Sequence, residues 1–558
     1  MVDAVQKNTK KTFLSGVLLL TLSTVLVKIV GLIYKIPMLS YLGSEGMGYF
    51  NSAYEIYALF CVIATAGLPV ALSVLISGAI AKRETEQISR IYRAAMTVFL
   101  IVGFFGSAVM CVCARGFCSL IKSENAYACI LSVSPTVFLV CVASALRGFF
   151  QGYQRMLPTA VSQLLESIGK LIFGLGLARY ALERGFDTAT VAAFAGGGLT
   201  LGTALSLFYL LIEKWRFSKF DCKESVLSAS RPTKSYRAIW KHLARLAIPM
   251  TLGASLVSLT KLIDMTMILR RLQSIGYSEV MANEAYGSYT TLALSVYGLL
   301  PTLVNSIALP LVPMLSAAIA SGDREKQAQM IQSSYRLTTV FAIPAALGVA
   351  AYARPILSML FGREPEAVAV AAPLLSYLGI SVFLSCMITA TNSVLHAYQS
   401  VNRPILSMLG GAIVKIVSAY FLIGNPNIAM IGAPISTFLC NATVVLLNLY
   451  FASSLCRIND LRAILLKPLF SATLAVALSY SVYRLLCFYH GEGVLMTGLA
   501  VLLAGVAYLI FSCLFGVFSA EDILSLPMGE KIYCFLQKVK LLSPEDTKEK
   551  GCSEYDIS

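Results

Sequence analysis

Long apolar runs recur along almost the whole chain, and they constrain its fold more than any other feature. We find fourteen, at approximately 13–38, 51–80, 94–114, 127–147, 157–179, 190–213, 240–269, 288–320, 335–354, 367–396, 404–424, 428–453, 463–486 and 494–518. Each run is long enough to cross roughly 30 Å of hydrocarbon as a helix that rises 1.5 Å per residue. The sequence therefore predicts an all-α polytopic membrane protein with about fourteen transmembrane helices.

The basic residues are concentrated in the polar segments between the apolar runs. The formal net charge is +15, but about 30 of the 44 basic residues fall in alternate polar segments. This asymmetry is typical of membrane-facing cytoplasmic loops, and it argues against a nucleic-acid partner. It predicts a multi-pass protein of the plasma membrane with both termini in the cytoplasm. Lys7, Lys10 and Lys11 precede the first run, which we interpret as a retained helix and not as a signal peptide.

An internal repeat divides the chain into two halves. "TLSTVLVKIVGLIYKIPML" from Thr21 aligns without gaps with "TLGASLVSLTKLIDMTMIL" from Thr251, and seven of the nineteen positions are identical. "GYQRMLP" at Gly152 likewise matches "AYQSVNRP" at Ala397. Because each half begins after an even number of spans, the repeat is parallel, and transporters of this kind bind substrate near the midplane between the halves.

The repeat gives a division into five segments. We expect an N-lobe of helices 1–6 at 1–213, a basic cytoplasmic linker at 214–239, a C-lobe of helices 7–12 at 240–456, two extra helices at 457–518, and a cytoplasmic amphipathic or polar tail at 519–558. In the tail, Ile532, Phe535, Leu536, Val539 and Leu542 share one helical face. That pattern suits a helix on the inner leaflet, and equally a helix packed on the protein.

Five lysines lie inside the apolar runs: Lys28, Lys35, Lys170, Lys261 and Lys415. A lysine near the bilayer centre costs roughly 2.5–3.5 kcal/mol, so each needs a partner or a wet cavity. Lys170 follows Glu166 by four residues and Lys261 precedes Asp264 by three, which places each pair on one helix face. We interpret Glu166, Lys170, Lys415 and Glu55 as structural or gating charges.

Lys28 and Lys35 have no carboxylate within four residues along the chain. With Gly31 they form one stripe on the first helix, and the glycine leaves room beside the two ammonium groups. One interpretation is that Lys35 snorkels to the outer interface; another is that Lys28 pairs with Glu55 on the second span. The third is a cationic wall for an anion such as a phosphate group.

No pattern in the chain indicates an enzyme. The three histidines are far apart, the fourteen cysteines lack zinc or redox spacing, and neither a Walker A loop nor a G-x-S-x-G elbow occurs. We therefore expect a transporter with no cofactor and no metal.

Several stretches resemble a known family. "LSTVLVKIVGLIYKIPMLSYLGSEGMGYFNSAYEIY", "RGFFQGYQRMLPTAVSQLLESIGK" and "LIDMTMILRRLQ" resemble the stage V sporulation protein B group, in the polysaccharide-transport branch of the MOP exporter superfamily. "VPMLSAAIASGD" is similar to the corresponding stretch of MurJ-type lipid II flippases. In those flippases an Arg stands three residues before a first-helix Gly, and Arg-Asp follows it. Lys28, Tyr34 and Lys35 occupy the corresponding positions here.

The resemblance implies a MOP/MATE-like fold with alternating access. The implied cargo is an undecaprenyl-diphosphate-linked cell-wall precursor, carried from the inner to the outer leaflet for peptidoglycan or spore cortex synthesis. Its implied binding residues are Lys28, Gly31 and Lys35, with Lys261 and Asp264 from the second lobe, and cell-wall synthesis proteins are candidate partners. A flippase for another lipid-linked polysaccharide, a cation-coupled multidrug antiporter, a non-transporting scaffold and a membrane glycosyltransferase are the alternatives.

Overall fold

The described part of the chain is helical throughout. The computed structural model describes residues 2–82, 84–221, 235–308, 315–316, 318–319, 322–400, 402–455, 461–491 and 493–517, and no strand occurs among them. The predicted tail helix, with Ile532 and its neighbours, lies outside these residues. The division into N-lobe, linker, C-lobe and extra helices stays a prediction.

The chain separates into two compact units. The first contains Met1–Thr291 and Ala419–Met430, and the second contains Leu292–Ser418 and Ile431–Ser558. The helices that begin in the first unit are α1 (Val2–Thr65), α2 (Leu68–Ala81), α3 (Thr85–Val112), α4 (Ala114–Ile121), α5 (Tyr127–Gly152), α6 (Leu157–Glu183), α7 (Thr188–Asp221), α8 (Tyr236–Ser274) and α9 (Glu279–Ser288). A short π-helix, Tyr289–Ala293, follows α9.

The second unit continues the same pattern. Its helices are α10 (Leu294–Ala308), α11 (Arg324–Ala351), α12 (Ala353–Phe361), α13 (Pro365–Ala397), α14 (Asn402–Ile423), α15 (Gly432–Ser453), α16 (Leu461–His490) and α17 (Val494–Leu514). The last turn of α14 belongs to the first unit by its contacts.

Twelve helical segments of the described residues are long and apolar enough to cross a membrane. Two differences explain why the sequence has fourteen apolar runs and the structure has twelve such segments among the described residues. The segment Ser23–Ala81 holds two predicted spans in one stretch. The predicted span 288–320 coincides with the π-helix, α10 and residues outside the described part.

A single glycine replaces the predicted loop between the first two spans. Gly43 has φ 65° and ψ 178°, while the residues on both sides are helical. Only a residue without a Cβ takes this φ at little cost, so the chain changes direction here without a loop. The second span is also broken, because α1 ends at Thr65 and α2 starts at Leu68. At this break a Cβ on Gly67 would meet the Ala247 carbonyl of α8.

The internal repeat is visible in the backbone. Gln154 and Gln399 both have left-handed φ values, 58° and 57°, directly after α5 and α13. In each case the next residue donates to a carbonyl five residues back, Arg155 to Phe150 and Ser400 to Leu395. These caps are equivalent in the two aligned motifs, so the halves share local geometry as well as sequence.

Helices α6 and α7 cross at a seam of glycines. A Cβ on Gly198 would meet the backbone of Gly174, and one on Gly169 would lie 2.8 Å from the Cα of Gly202. Such small residues allow two membrane helices to approach closely. The seam fixes the position of α6, which carries Glu166 and Lys170.

This seam predicts a contrast between two glycine substitutions. Gly198→Ala has to push the helices apart and should destabilise the protein by about 1–3 kcal/mol, the usual cost of overpacking. Gly176→Ala on α6 is the matched control, because a Cβ there meets no atom within 4 Å. Thermal unfolding in detergent should show a lower transition temperature for Gly198→Ala only. Equal transition temperatures for the two variants would contradict the seam.

Candidate functional site

Lys35 of α1 binds the irregular turn that follows α9. Its Nζ donates to the Thr290 carbonyl at 3.3 Å. Asn51 of α1 donates from Nδ2 to the hydroxyls of Thr290 and Thr291, both at 2.8 Å. The turn is the π-helix Tyr289–Ala293, and such departures from α-geometry occur frequently at functional sites. Lys35 therefore points into the protein, and the predicted snorkelling to the interface is not the arrangement seen.

Glycines bring α1 against α9 at this point. A Cβ on Gly287 would meet the Ser44 carbonyl, and a Cβ on Gly48 would meet the Asn283 carbonyl. The two backbones thus touch without intervening side chains. This close approach places Asn51 within reach of the π-helix.

Lys170 lies against two tyrosine rings. Its Nζ is 4.6 Å from the ring centre of Tyr54 and 5.6 Å from that of Tyr34. An ammonium group over an aromatic face is stabilised by the ring's quadrupole, most strongly where water is scarce. Tyr34 is itself buried, and its ring lies 3.0 Å from the place a Cβ on Gly174 would occupy.

Glu166 pairs with an arginine, not with Lys170. Arg147 of α5 donates from Nη2 to Glu166 Oε2 at 2.7 Å and to Ser206 of α7 at 3.0 Å. Its Nε donates to Ser162 of α6 at 2.9 Å. The predicted Glu166–Lys170 ion pair is therefore wrong, because the planar guanidinium of Arg147 binds side chains of α6 and α7 at once.

Arg147 was not among the predicted site residues, because the predicted fourth span, 127–147, ends at this residue. The helix continues to Gly152, so the arginine lies inside it. The internal repeat could have identified Arg147. When Gln154 is aligned with Gln399, Arg147 aligns with Asn392, so both halves have a polar residue at this position. Asn392 accepts a hydrogen bond from Asn448 at 2.8 Å in the second unit. Arg147 on α5 and Asn392 on α13 are thus polar side chains at equivalent positions of the two halves.

Lys28 of α1 and Lys261 of α8 are two like charges that act on each other. Both side chains are exposed, and they lie within electrostatic range of one another. No ion pair between Lys28 and Glu55, one of the predicted alternatives, occurs among the described residues. Gly31 lies one turn from Lys28, and a methyl group on it would meet no atom within 4 Å. The space expected beside the stripe is present.

The predicted Lys261–Asp264 ion pair is also not formed. No ion pair between these two side chains occurs among the described residues. Three residues along a helix put two side chains on one face, but Lys261 extends outward while Asp264 is half-buried. Asp264 and Lys261 instead both act electrostatically on Glu55.

Lys28, Lys35, Lys170 and Lys261, which we call the lysine set, outnumber the acids around them. Glu55 is within electrostatic range of Lys35, Lys261 and Asp264. Its Oε2 is buried and makes no hydrogen bond with the described residues. Four ammonium groups against the two carboxylates of Glu55 and Asp264 leave an excess of two positive charges in this part of the first unit. Such an arrangement can hold a doubly charged anion.

Lys415 lies in the second unit and is not a member of the lysine set. It is half-buried on α14 and acts electrostatically on Tyr297 of α10. Tyr297 also accepts a hydrogen bond from Asn441 of α15 at 3.1 Å. Lys170 and Lys415 lie on equivalent helices of the repeat, and each interacts with a tyrosine.

Comparison with known proteins gives matches over most of the chain. The family model described as "Polysaccharide biosynthesis protein" matches residues 13–319, and the MatE model matches 249–421. Lipid II flippase MurJ of Bacillus subtilis (strain 168) is 25% identical over 72% of this chain and 76% of its own length. Stage V sporulation protein B of the same organism is 23% identical over 79% and 83%.

A solved structure has the same fold. The structure titled "Lipid II flippase MurJ, inward closed conformation" superposes with a TM-score of 0.68 and 15% identity, covering 89% of this chain and 98% of that one. This confirms the predicted MOP-type helical fold. The matches also confirm the resemblance to the MurJ and stage V sporulation protein B proteins.

The Arg147–Glu166 pair predicts a non-additive result in a double-mutant cycle. Arg147→Met or Glu166→Met alone strands a buried charge and should cost about 3–5 kcal/mol. The double substitution should cost less than either single one. Unfolding free energies from detergent titration measure the coupling between the two side chains.

Arg179–Glu183 is the matched control for this cycle. Its side chains are 66% and 61% exposed, against 12% and 23% for Arg147 and Glu166. An exposed pair contributes about 0.2–1 kcal/mol, so its cycle should be nearly additive. Additive costs for Arg147 and Glu166 as well would show that their contact does not stabilise the fold.

Proposed function

Because this chain belongs to the polysaccharide biosynthesis protein family, a group of multi-pass MOP-type membrane transporters, we propose that it moves a lipid-linked sugar diphosphate across the membrane. The proposed cargo is an undecaprenyl-diphosphate-linked cell-wall precursor similar to lipid II. The proposed direction is from the inner to the outer leaflet, by alternating access, in peptidoglycan or spore cortex synthesis.

The observation that carries this proposal is the charge of the lysine set. A diphosphate that links a lipid to a sugar bears about two negative charges at neutral pH, which equals the excess of positive charge around Lys28 and Lys35. Ammonium groups bind phosphate as point charges and hold it in no fixed orientation. That property suits a transported group, because a cargo that is released on the other side must not be bound too tightly.

Lys28 and Lys35 have different roles in this proposal. Lys28 is exposed beside the open space at Gly31, so it is the first ammonium group that an entering diphosphate meets. Lys35 is half-buried and held by the Thr290 carbonyl. It supplies a fixed positive potential behind the site, and Lys261 adds the charge of α8.

A cation-coupled multidrug antiporter is the second candidate function. The MatE model matches residues 249–421, and Glu55 has a buried carboxylate oxygen with no hydrogen bond among the described residues. An antiporter needs such a group to bind a proton or a cation. The surrounding lysines disfavour a cationic drug at the same place, and for that reason we prefer the flippase.

The proposed direction requires a defined orientation, with both termini and the 214–239 linker in the cytoplasm. Single cysteines test it in a cysteine-free variant. Ser235→Cys, at the start of α8, should resist a membrane-impermeant maleimide added to intact cells, whereas Arg184→Cys, after α6, should react. Both positions are exposed. Labelling of Ser235→Cys from outside would reverse the assignment.

The charge-site proposal predicts the effect of three substitutions on flipping. In proteoliposomes with fluorescent lipid II, Lys28→Gln and Lys35→Gln should reduce movement between leaflets at least about tenfold, since each removes a charge that faces the diphosphate. Lys28→Arg should keep part of the activity, because it preserves the charge and alters its shape.

Lys82→Gln is the control for this series. Lys82 is an exposed lysine after α2, outside the lysine set, and its loss should leave flipping unchanged. Wild-type flipping by a folded Lys28→Gln/Lys35→Gln double variant would remove these lysines from the cargo site.

A further inference from the structure

The first turns of α8 carry a stripe that changes from basic to apolar. Arg237, Lys241 and Arg245 recur every four residues and are all exposed. The same helix face continues with Ile248 and Leu252, whose side chains are 55% and 63% exposed. A face that is charged for two turns and then apolar marks the level where headgroups give way to acyl chains.

The opposite face of this segment is fixed to the protein. Ile239, Leu243 and Ala247 are buried in a core cluster with residues of α2, α3 and α5. Ser235 accepts a hydrogen bond from the Ala238 amide and caps the helix. The basic stripe therefore faces outward from a packed and oriented helix.

Trp240 lies beside the stripe as an interfacial anchor. Its indole is 44% exposed, while Nε1 donates to the Ala94 carbonyl of α3 at 3.1 Å. Tryptophan is enriched at the headgroup level of membranes, where its ring is partly in lipid and its N–H finds a polar partner. Arg93, the neighbour of Ala94, is also exposed. It adds a fourth cation next to the anchor.

The length and the charge of α8 agree with a position of its first turns in the headgroup layer. At 1.5 Å per residue the 39 residues of α8 extend about 58 Å, more than the roughly 40–45 Å of a bilayer with its headgroups. The start of the helix must then reach the headgroup layer. No Asp or Glu occurs in α8 before Asp264, so nothing along the helix offsets the basic stripe.

We propose that Arg237, Lys241 and Arg245 of α8, with Trp240, form a docking surface for anionic phospholipid headgroups of the adjacent leaflet. The three side chains make no hydrogen bond or ion pair with the described residues, so their charges are available to lipid phosphates. The surface recognises headgroup charge, and it is distinct from the lysine set, which lies on α1, on α6 and further along α8. Under the proposed topology the leaflet is the inner one.

Quenching of Trp240 by brominated lipid tests the docking surface. The chain has two tryptophans, so Trp215→Phe leaves Trp240 as the single fluorophore. The protein is reconstituted in mixed bilayers in which either phosphatidylglycerol or phosphatidylcholine is brominated, at equal mole fractions. Brominated phosphatidylglycerol should quench more strongly. This excess should diminish as salt rises, because screening weakens headgroup attraction.

Three double variants give the matched comparison. Lys241→Gln/Arg245→Gln should lower the preference for phosphatidylglycerol by roughly fivefold per side chain removed. The charge-preserving Lys241→Arg/Arg245→Lys variant should retain it, as should Arg184→Gln/Arg363→Gln, which removes two exposed charges elsewhere. Equal quenching by the two lipids in the Trp215→Phe protein, or an unchanged preference in the Gln double variant, would overturn the proposal.

Discussion

The first unit has to stabilise several lysine side chains that lie within its membrane-spanning helices, and its structure depends on how it does so. Each lysine at membrane depth costs roughly 2.5–3.5 kcal/mol unless something in the protein stabilises it. The structure uses a different device for each: a carbonyl of the π-helix for Lys35, two tyrosine rings for Lys170, and exposure beside open space for Lys28. Lys28 and Lys261 are the two exposed members of the lysine set. These contacts join α1 to α6 and to the π-helix after α9.

The sequence was sufficient for the fold class, because apolar runs and the repeat depend on local composition and spacing. It identified the lysines but paired two of them wrongly. Spacing along one helix shows which side chains share a face, whereas the partner of Glu166 is Arg147 on another helix. The π-helix and its hydrogen bond from Lys35 also depend on distant packing. A stretch such as Tyr289–Ala293 has no unusual composition to reveal them.

The two halves use one scaffold with different chemistry. Arg147 in the first half corresponds to Asn392 in the second, so a charged contact is replaced by an amide contact at the same place. Lys170 and Lys415 lie on equivalent helices, and each interacts with a tyrosine. The lysine set, however, has all its members in the first unit. The repeat thus accounts for the shared architecture, and the proposed cargo site lies where the two halves differ in charge.

We propose that the ammonium group of Lys28 touches the diphosphate of the cargo, while Lys35 adds positive potential from behind the site. Solid-state NMR on protein with ¹⁵N-labelled lysines and a bound lipid-linked sugar diphosphate measures this contact through ³¹P–¹⁵N dipolar coupling. The account predicts coupling of the phosphates to lysine Nζ at distances of roughly 3–4 Å, typical of charge-assisted hydrogen bonds with thermal motion. The coupling should be lost in the Lys28→Gln/Lys35→Gln variant. A bound diphosphate with no coupling to any lysine nitrogen would contradict it.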